Sequence, residues 1–320
     1  GSALPQEQQT LKGSQKGKGF AVFNDNFRNA IKGDSDGAGQ GFATGASGKE
    51  GAIVAGVKGS VDDFTDSPSE TINYVTAHDN LNLWDKIIKA AGKEKAAGFL
   101  EMRDGVLTGE DANKYSSVQE AVNKKAKPYS VITETNPLDN EYVRRSILTT
   151  AITMTSQGIP FFQSGDEFLR SKYGDHNSYK SPDSINALNW AEKEKYIDVF
   201  NYYKDLIILR KNHSAFRMKN PEDIIENLEV YFYDNNDTSG VIIAYYKNNA
   251  NEDLWKDIVV IYNGTTIDDY NVISSMPKSS NGFWNIAVKN GVVNQFGIER
   301  VSEDEIPKIK SHSMMILYDE

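Results

Sequence analysis

The chain has 320 residues, of which 39% are hydrophobic and 25% are charged, and its formal net charge is -10. That length is enough to bury a large core in one large domain or two ordinary ones. The acidic balance, with no basic patch interleaved with aromatic residues, argues against nucleic acid as a partner, and no apolar run is long enough to cross a bilayer. Because the chain has no cysteine, disulfides and thiolate metal sites are excluded.

The first predicted unit is a strand followed by a short helix. Residues 20–23 are apolar, and the polar run 24–26 predicts the cap of a helix over residues 27–32. Residues 33–59 are dense in glycine and predict a long surface loop. Within this loop, Asp34-Ser35-Asp36-Gly37 has the opening pattern of a calcium loop, but Gly45 stands where that pattern needs Glu, so calcium binding there is disfavoured.

The second unit ends in a cluster of polar side chains. A short β-branched and aromatic run, residues 74–76, is followed by His78, Asp79 and Asn80. Parallel α/β proteins keep their chemistry at the carboxyl ends of strands, which makes these side chains candidate functional groups. The alternative is a turn in which Asp79 or Asn80 caps the helix predicted over residues 83–91. The residues alone leave both interpretations open.

The third unit has a longer helix and a more apolar strand. Asp139 or Asn140 is predicted to cap a helix over residues 141–157. Residues 159–163 predict a strand buried on both faces, as in a parallel sheet, and another helix is predicted over residues 192–211. Three strand-and-helix units in succession favour a parallel sheet that is either barrel-like or doubly wound.

The texture of the sequence changes after residue 220. Short strands joined by polar turns are predicted over residues 230–233, 240–246, 258–262, 284–288 and 313–318. Strands without intervening helices are typical of an antiparallel β-sandwich. We therefore divide the chain into an α/β part, residues 1–218, and a β-sandwich domain, residues 219–320.

Other polar groups have more ordinary interpretations. Asp166 and Glu167 are neighbours whose side chains would diverge on an extended segment, which favours a structural role over an acid/base pair. His213 follows a predicted helix and is expected to be a core or interface histidine. The aspartates within residues 62–66 could bind Ca2+, but a solvated acidic turn is the commoner structure.

Several motifs, in order along the chain, resemble those of the α-amylase superfamily. They are Phe23-Asn24-Asp25-Asn26-Phe27-Arg28, His78-Asp79-Asn80 with Trp84-Asp85, and Gln157-Gly158-Ile159-Pro160-Phe161-Phe162. Three further segments resemble type I pullulanases in particular: Ala3-Leu4-Pro5-Gln6-Glu7, Gly165-Asp166-Glu167-Phe168-Leu169-Arg170 and Gly174-Asp175-His176-Asn177-Ser178-Tyr179. The likeness covers essentially the whole chain. It departs from the family's commoner pattern at Gln163, where a His is frequent, and at Asp166, where Glu or Gln is frequent.

The resemblance implies that the three units are strands six, seven and eight of a (β/α)8 barrel, with the β-sandwich after them. It also implies a retaining glycosidase, whose nucleophilic Asp and acid/base Glu lie on strands four and five, about 5 to 5.5 Å apart. Both would lie upstream of Gly1, in an N-terminal barrel half supplied by the same or another chain. We therefore expect this chain to be inactive by itself.

The resemblance also implies functions for particular side chains. Asp79 would stabilise the oxocarbenium-like transition state, and His78 would help to hold the distorted sugar ring. The residues implied to bind substrate are Asn80, Trp84, Arg170, Asn177, Tyr179 and Asp183. For Trp84 the alternative is that its ring only pins a helix to the barrel. For the loop residues the alternative is that they only support the loop.

The function implied by the resemblance is a debranching enzyme that hydrolyses α-1,6-glucosidic links of pullulan, starch or glycogen, with an α-glucan as its ligand. Another α-glucan enzyme of the superfamily and a non-catalytic glucan-binding module are the alternatives. No cofactor or metal site is expected in this chain, although the complete enzyme could bind Ca2+. The expected location is outside or on the surface of a bacterial cell, with the cytoplasm as the alternative.

Overall fold

The computed structural model describes residues 3–5 and 8–320. Of the segment Ala3-Leu4-Pro5-Gln6-Glu7, Gln6 and Glu7 therefore lie outside the described residues.

The described residues form helices and short strands up to residue 227 and strands thereafter. The elements before residue 159 are β1 Val22–Phe23, α1 Asp25–Lys32, α2 Glu50–Val57, β2 Thr71–Tyr74, α3 Leu83–Ala90, β3 Met102–Arg103, β4 Val106–Leu107, α4 Gly109–Lys114, α5 Val118–Lys124 and α6 Glu141–Thr155. The next are β5 Ile159–Phe161, α7 Asp183–Asn186, α8 Ala191–Lys195, α9 Ile197–Asn212 and α10 Pro221–Asn227. The remaining strands are β6 Leu228–Phe232, β7 Val241–Tyr246, β8 Asp257–Asn263, β9 Phe283–Lys289, β10 Val292–Val293, β11 Glu299–Ser302 and β12 Ser313–Asp319.

The three predicted strand units lie side by side in one parallel sheet. Its order is β1-β2-β5, with Val22 paired to Thr71 and Ile72 paired to Ile159. All three strands therefore end at the same edge of the sheet. The residues that follow β2 and β5 are brought together there.

The prediction that the third strand is buried on both faces is wrong. Ile159 and Phe161 are exposed in β5. Within the described part of the chain, β5 pairs only with β2, so one edge has no neighbouring strand to cover its side chains. The apolar composition of this strand was a correct indication of a parallel sheet, but burial depends on what lies beside it.

Residues 33–59 are not a continuous loop, contrary to the prediction. They contain α2, whose Ile53 and Val57 are one helical turn apart and fully buried. Gly56 lies against the ring of Phe27, because a Cβ built on Gly56 would be only 2.0 Å from Phe27 Cδ2. The glycines that suggested a loop therefore include one that lets α2 approach α1 closely.

The helix caps follow from local sequence in two of three cases. The Asn24 side chain accepts a hydrogen bond from Phe27 N in α1, and Asn140 accepts from Val143 N in α6, as predicted. Helix α3 is capped by Asn82, whose Oδ1 accepts from Asp85 N at 3.3 Å, rather than by Asp79 or Asn80. Asp79 and Asn80 therefore do not cap α3.

The predicted helices differ from the observed ones mainly in their ends. Helix α6 ends at Thr155, two residues earlier than predicted. The helix predicted over residues 192–211 is found as α8 and α9, separated at Tyr196.

All five strands predicted after residue 220 are present, in one antiparallel sheet of seven strands. Its order is β10-β9-β12-β8-β7-β6, and β11 pairs with β9. The prediction of a β-sandwich needs correction, because the described residues form a single sheet rather than two facing ones. Val272, Ile306 and Ile309, which lie outside the named strands, cover its outer apolar face. Because successive side chains of a strand point to opposite faces, apolar strands predict that both faces of the sheet are buried. They do not predict which segments cover each face.

The inner face of this sheet packs on the helical part of the chain. One continuous core cluster contains Phe27 of α1, Ile147 of α6, Leu206 of α9 and Val260 of β8. The Tyr262 and Tyr246 hydroxyls also bond to Thr155, at 2.7 Å to its Oγ1 and 2.5 Å to its carbonyl oxygen. The domain boundary at residue 218 stays a prediction, since one hydrophobic core contains residues from both sides of it.

No helix in the described ranges is long and apolar enough to cross a membrane.

Candidate functional site

A cleft of about 700 Å3 opens where polypeptide leaves the carboxyl end of β2. Its walls come from the segment after β2, from the loop after β5 and from the loop after α1. The residues that line it are Asp36, His78, Asp79, Asn80, Lys172, His176, Asn177, Ser178, Tyr179 and Asn186. Most are polar, and most can both donate and accept hydrogen bonds.

His78 and Asp79 are the most exposed groups at the strand end. Their side chains are 87% and 77% exposed, and His78 Nε2 lies 3.3 Å from Asp79 Oδ1. Neither residue serves as a helix cap. The pair can therefore meet a ligand directly, with the carboxylate as acceptor and the imidazole as donor.

Asp36 holds the backbone beside this pair. Its carboxylate accepts from Asn80 Nδ2 at 2.7 Å and from Leu81 N at 3.1 Å. Asn80 has φ +67°, a left-handed conformation that Asn tolerates better than most residues. The side chain of Asn80, expected to bind substrate, thus also fixes the turn after Asp79. In the sequence, Asp36 belongs only to a calcium-loop pattern, and no local signal indicates its place in the cleft.

Lys172 joins the two sides of the cleft. Its ammonium donates to Ser178 Oγ at 2.7 Å and lies 3.4 Å from the His78 carbonyl oxygen. Asn186 Nδ2 donates to the Ser178 carbonyl oxygen at 2.7 Å. Lys172 and Asn186 were not identified from the sequence. Their roles depend on contacts between loops that no local pattern reports.

The loop that carries Lys172 is anchored by Asp85 of α3. The buried Asp85 carboxylate accepts from Ser171 Oγ at 2.6 Å, Lys172 N at 2.8 Å and Gly174 N at 3.0 Å. Burial raises the pKa of Asp85 to about 6, while these three hydrogen bonds act in the opposite direction. Asp85 therefore fixes the start of the loop that reaches Tyr179.

Two of the predicted substrate-binding residues on this loop line the cleft. Tyr179 is 71% exposed, and Asn177 donates through Nδ2 to Asp104 Oδ1 at 2.9 Å. An exposed aromatic ring beside polar groups is suited to the C–H face and hydroxyls of a sugar.

The structure corrects the substrate-binding role predicted for Trp84. Its side chain is buried, and its Nε1 donates to the Pro128 carbonyl oxygen at 3.0 Å. A buried ring cannot stack on a sugar, so the structure contradicts the substrate-binding role given to Trp84 and supports the alternative that it pins its helix.

Arg170 and Asp183 do not line the cleft. The Arg170 guanidinium donates to the carbonyl oxygens of Ser164 and Asn186. Asp183 is exposed at the first position of the short helix α7. The observed contacts of Arg170 are those of a residue that supports the loop.

Asp166 ties the ends of two parallel strands together. Its Oδ2 accepts from Thr76 Oγ1, after β2, and from Gln163 N, after β5. Burial raises the pKa of Asp166 to about 6, and the nearby Glu167 acts in the same direction. The Glu167 side chain turns back to accept from Gly165 N at 2.7 Å. These contacts are those of structural residues, as their adjacency suggested.

Neither His213 nor the acidic turn lines the cleft. His213 is buried, with Nδ1 2.9 Å from Asp253 Oδ1 and its ring stacked on Trp255. Within residues 3–5 and 8–320, no three acidic or histidine side chains, the aspartates of residues 62–66 included, form a group that could hold a metal ion.

The fold and the cleft define an α/β protein with a polar cleft at the carboxyl edge of a parallel sheet. No family model matches the chain. It is 33% identical over 270 residues to the pullulanase of Bacillus subtilis (strain 168), covering 82% of this chain and 31% of that protein.

Two solved structures show the same fold. The pullulanase from Bacillus acidopullulyticus has a TM-score of 0.77 and 33% identity, covering 100% of this chain and 33% of that one. The type I pullulanase of Bacillus subtilis str. 168, complexed with maltose, has a TM-score of 0.73 and 26% identity, covering 99% of this chain and 38% of that one. The chain is a homologue of the pullulanases, as its motifs predicted, and spans about a third of the length of these relatives.

Proposed function

We propose that this chain is the C-terminal portion of a debranching glycoside hydrolase that cleaves α-1,6-glucosidic links of pullulan, starch or glycogen. The observation that carries the proposal is its likeness to pullulanases in both sequence and fold over nearly the whole chain. The cleft with exposed His78 and Asp79, at the carboxyl edge of the parallel sheet, supplies a site of the right kind.

The parallel sheet fits three consecutive strands of a (β/α)8 barrel. β1, β2 and β5 lie side by side in the order in which they occur along the chain, run parallel and are connected through segments that contain helices. Both outer strands have an open edge in the described part of the chain. Strands five and one of the proposed barrel would pair with those edges, and in such barrels the active site is built from loops at the carboxyl ends of the strands.

The proposed mechanism is retaining hydrolysis, in which an Asp nucleophile and a Glu acid/base come from the N-terminal half of the barrel, in the same or another chain. Asp79 would accept hydrogen bonds from sugar hydroxyls more strongly as positive charge develops on the ring, which lowers the barrier rather than only binding substrate. His78 would donate to a neighbouring hydroxyl and hold the distorted ring. Tyr179 and Asn177 would contact sugar units farther along the glucan.

The test is to compare the complete protein on pullulan and on amylose. A debranching enzyme should release maltotriose from pullulan and act weakly on linear amylose. Preference for amylose would instead indicate another α-glucan enzyme. Binding of malto-oligosaccharides without hydrolysis of either polymer would indicate a glucan-binding module. Release of maltotriose by residues 1–320 alone would contradict the placement of the nucleophile outside this chain.

A further inference from the structure

A second cavity, of about 300 Å3, adjoins the cleft and shares His78, Asp79 and Asn80 with it. Three cationic side chains line it, namely Lys12, Arg28 and Lys32. Arg28 and Lys32 are four residues apart in α1 and so lie on the same face of that helix. The cavity therefore adjoins the proposed sugar contacts, but its three cations have no part in those contacts.

Lys32 is the unusual member of this set. It is 1% exposed, and no described residue accepts a hydrogen bond from its ammonium or forms an ion pair with it. The other two cations have partners, because Lys12 lies 2.6 Å and Arg28 lies 3.3 Å from the carboxylate of Asp25. Burial of an ammonium is costly unless it is paired, and because Lys32 lines the cavity, an anion there would stabilise it.

Lys86 shows how this chain treats a buried lysine that is satisfied. Its side chain is fully buried, and its ammonium donates to Asp34 Oδ1 at 3.1 Å, to Gly37 O at 2.8 Å and to Gly39 O at 2.7 Å. Lys32 and Lys86 are thus equally buried, but only Lys86 has a complete set of acceptors within the described residues.

The two carboxylates whose charges act on the Lys32 ammonium are already engaged. Asp166 accepts from Thr76 and Gln163, and Asp36 accepts from Asn80 and Leu81. Burial, together with the positive charges of Arg28 and Lys86, lowers the pKa of Lys32 to about 7, against the opposing effect of these two carboxylates. The electrostatic environment of the cavity therefore favours an additional negative charge.

We propose that this cavity is a binding site for a carboxylate group that takes the Lys32 ammonium as its principal donor. A volume of about 300 Å3 corresponds to roughly ten water molecules, which is ample for a carboxylate. The carboxylate has two conceivable sources. One is an Asp or Glu side chain from polypeptide outside the described residues, since the chain spans 31% of its Bacillus subtilis relative. The other is a free carboxylate ion.

The test measures thermal unfolding of the complete protein with Lys32→Met, which keeps most of the side-chain stem but removes the charge, and with Lys86→Met as the matched control. We expect both substitutions to lower Tm by similar amounts, because both would remove a paired ammonium. An unchanged or raised Tm for Lys32→Met would overturn the proposal. If Lys32→Met does not fold, Lys32→Arg must still fold, because it keeps the charge; failure of both would also overturn it.

Two further arms identify the partner. Lys32→Met should still lower Tm when it is combined with Asp166→Asn. If Lys32→Met no longer lowers Tm in the double variant, the partner is Asp166 and the proposal is wrong. Acetate compared with chloride at equal ionic strength should raise the Tm of the Lys32 protein, but not of Lys32→Met, if the source is a free carboxylate. With no acetate effect but a persistent loss of Tm, the source is a polypeptide side chain. Because the readout is stability, failure here is distinguishable from failure of the proposed activity.

Discussion

Asp79 and Asp166 lie near the ends of neighbouring strands but in opposite environments. The Asp79 side chain is exposed in the cleft, whereas Asp166 is buried and bonded to two strand ends. Only the first can touch a ligand. In the sequence, both are acidic residues that follow a predicted strand. The difference in their burial comes from the path of the loop that carries each of them.

The first prediction concerns the catalytic rate. In the complete enzyme, Asp79→Ala should lower kcat by roughly 100-fold or more, because it removes an acceptor that bonds most strongly in the transition state. Asp166→Asn should lower kcat by less than about tenfold, since both of its hydrogen bonds reach one oxygen, which Asn retains. Steady-state kinetics on pullulan measures both. Equal losses would undermine the roles assigned to the two residues.

The second prediction separates ligand contact from support. Tyr179→Ala should raise KM for malto-oligosaccharides and pullulan with little change in Tm, because the ring is largely exposed in the cleft. Trp84→Phe should lower Tm, by loss of the bond to Pro128 and of packing, while KM stays nearly constant. Steady-state kinetics and thermal unfolding are measured for both variants, so that each variant is the control for the other. A change of KM for Trp84→Phe at unchanged Tm would restore a ligand-binding role for Trp84.

The third prediction concerns pH. The folded pKa of Asp166, about 6, lies above the ordinary value of 3.8, so the folded state holds the proton more tightly than the unfolded state. Its contribution to stability is therefore most favourable below pH 4 and is lost as pH rises to about 6. Asp166→Asn should remove that dependence.

Urea unfolding at pH 4.5 and pH 7 measures the difference. Relative to the original protein, Asp166→Asn should gain stability from the lower to the higher pH, by roughly 2 kcal/mol. Asp85, whose pKa is raised in the same way, is present in both proteins and cancels in the comparison. A difference that does not change with pH would show that Asp166 titrates normally.

At the scale of elements, α2 illustrates how composition can mislead. Its glycines suggested a loop, yet Gly56 is needed for contact with Phe27 while Gly51 has open space around it. We predict that Gly56→Ala lowers the free energy of unfolding by about 1–3 kcal/mol through overpacking. Gly51→Ala, in the same helix, should be neutral or stabilising by about 0.5–1 kcal/mol. Chemical denaturation of both variants tests this, and equal effects would contradict the close packing of α2 on α1.

The cleft also depends on elements that are distant in sequence. Asp85 in α3 holds residues 171–174, and Asp36 after α1 holds Asn80 after β2. The predicted strand ends placed His78 and Asp79 correctly at one edge of the sheet. They could not reveal Lys172 or Asn186, because those residues reach the cleft through the path of a long loop.

At the scale of the whole molecule, the continuous core joins the helices to the antiparallel sheet. We predict that the 320-residue chain unfolds in a single calorimetric transition, in spite of the change in sequence texture near residue 220. Tyr246→Phe, which removes the bond from its hydroxyl to the Thr155 carbonyl oxygen, should lower the midpoint without splitting the transition. Two separate transitions would show that the parts on either side of residue 218 fold independently.

The amino-acid sequence by itself determined most strands, the caps of α1 and α6, and the polar residues at the end of β2. These depend on near neighbours, through alternation and through side chains that bond the first turn of a helix. The family resemblance was carried by motifs of the same local kind.

Only the tertiary structure decided that α2 is a buried helix, that the antiparallel strands form one sheet, that Trp84 is inaccessible, and that Lys32 faces a cavity without an acceptor from the described residues. The physical reason is common to all four. Burial and pairing depend on which distant segments meet, and neither hydrophobic periodicity nor residue type specifies that.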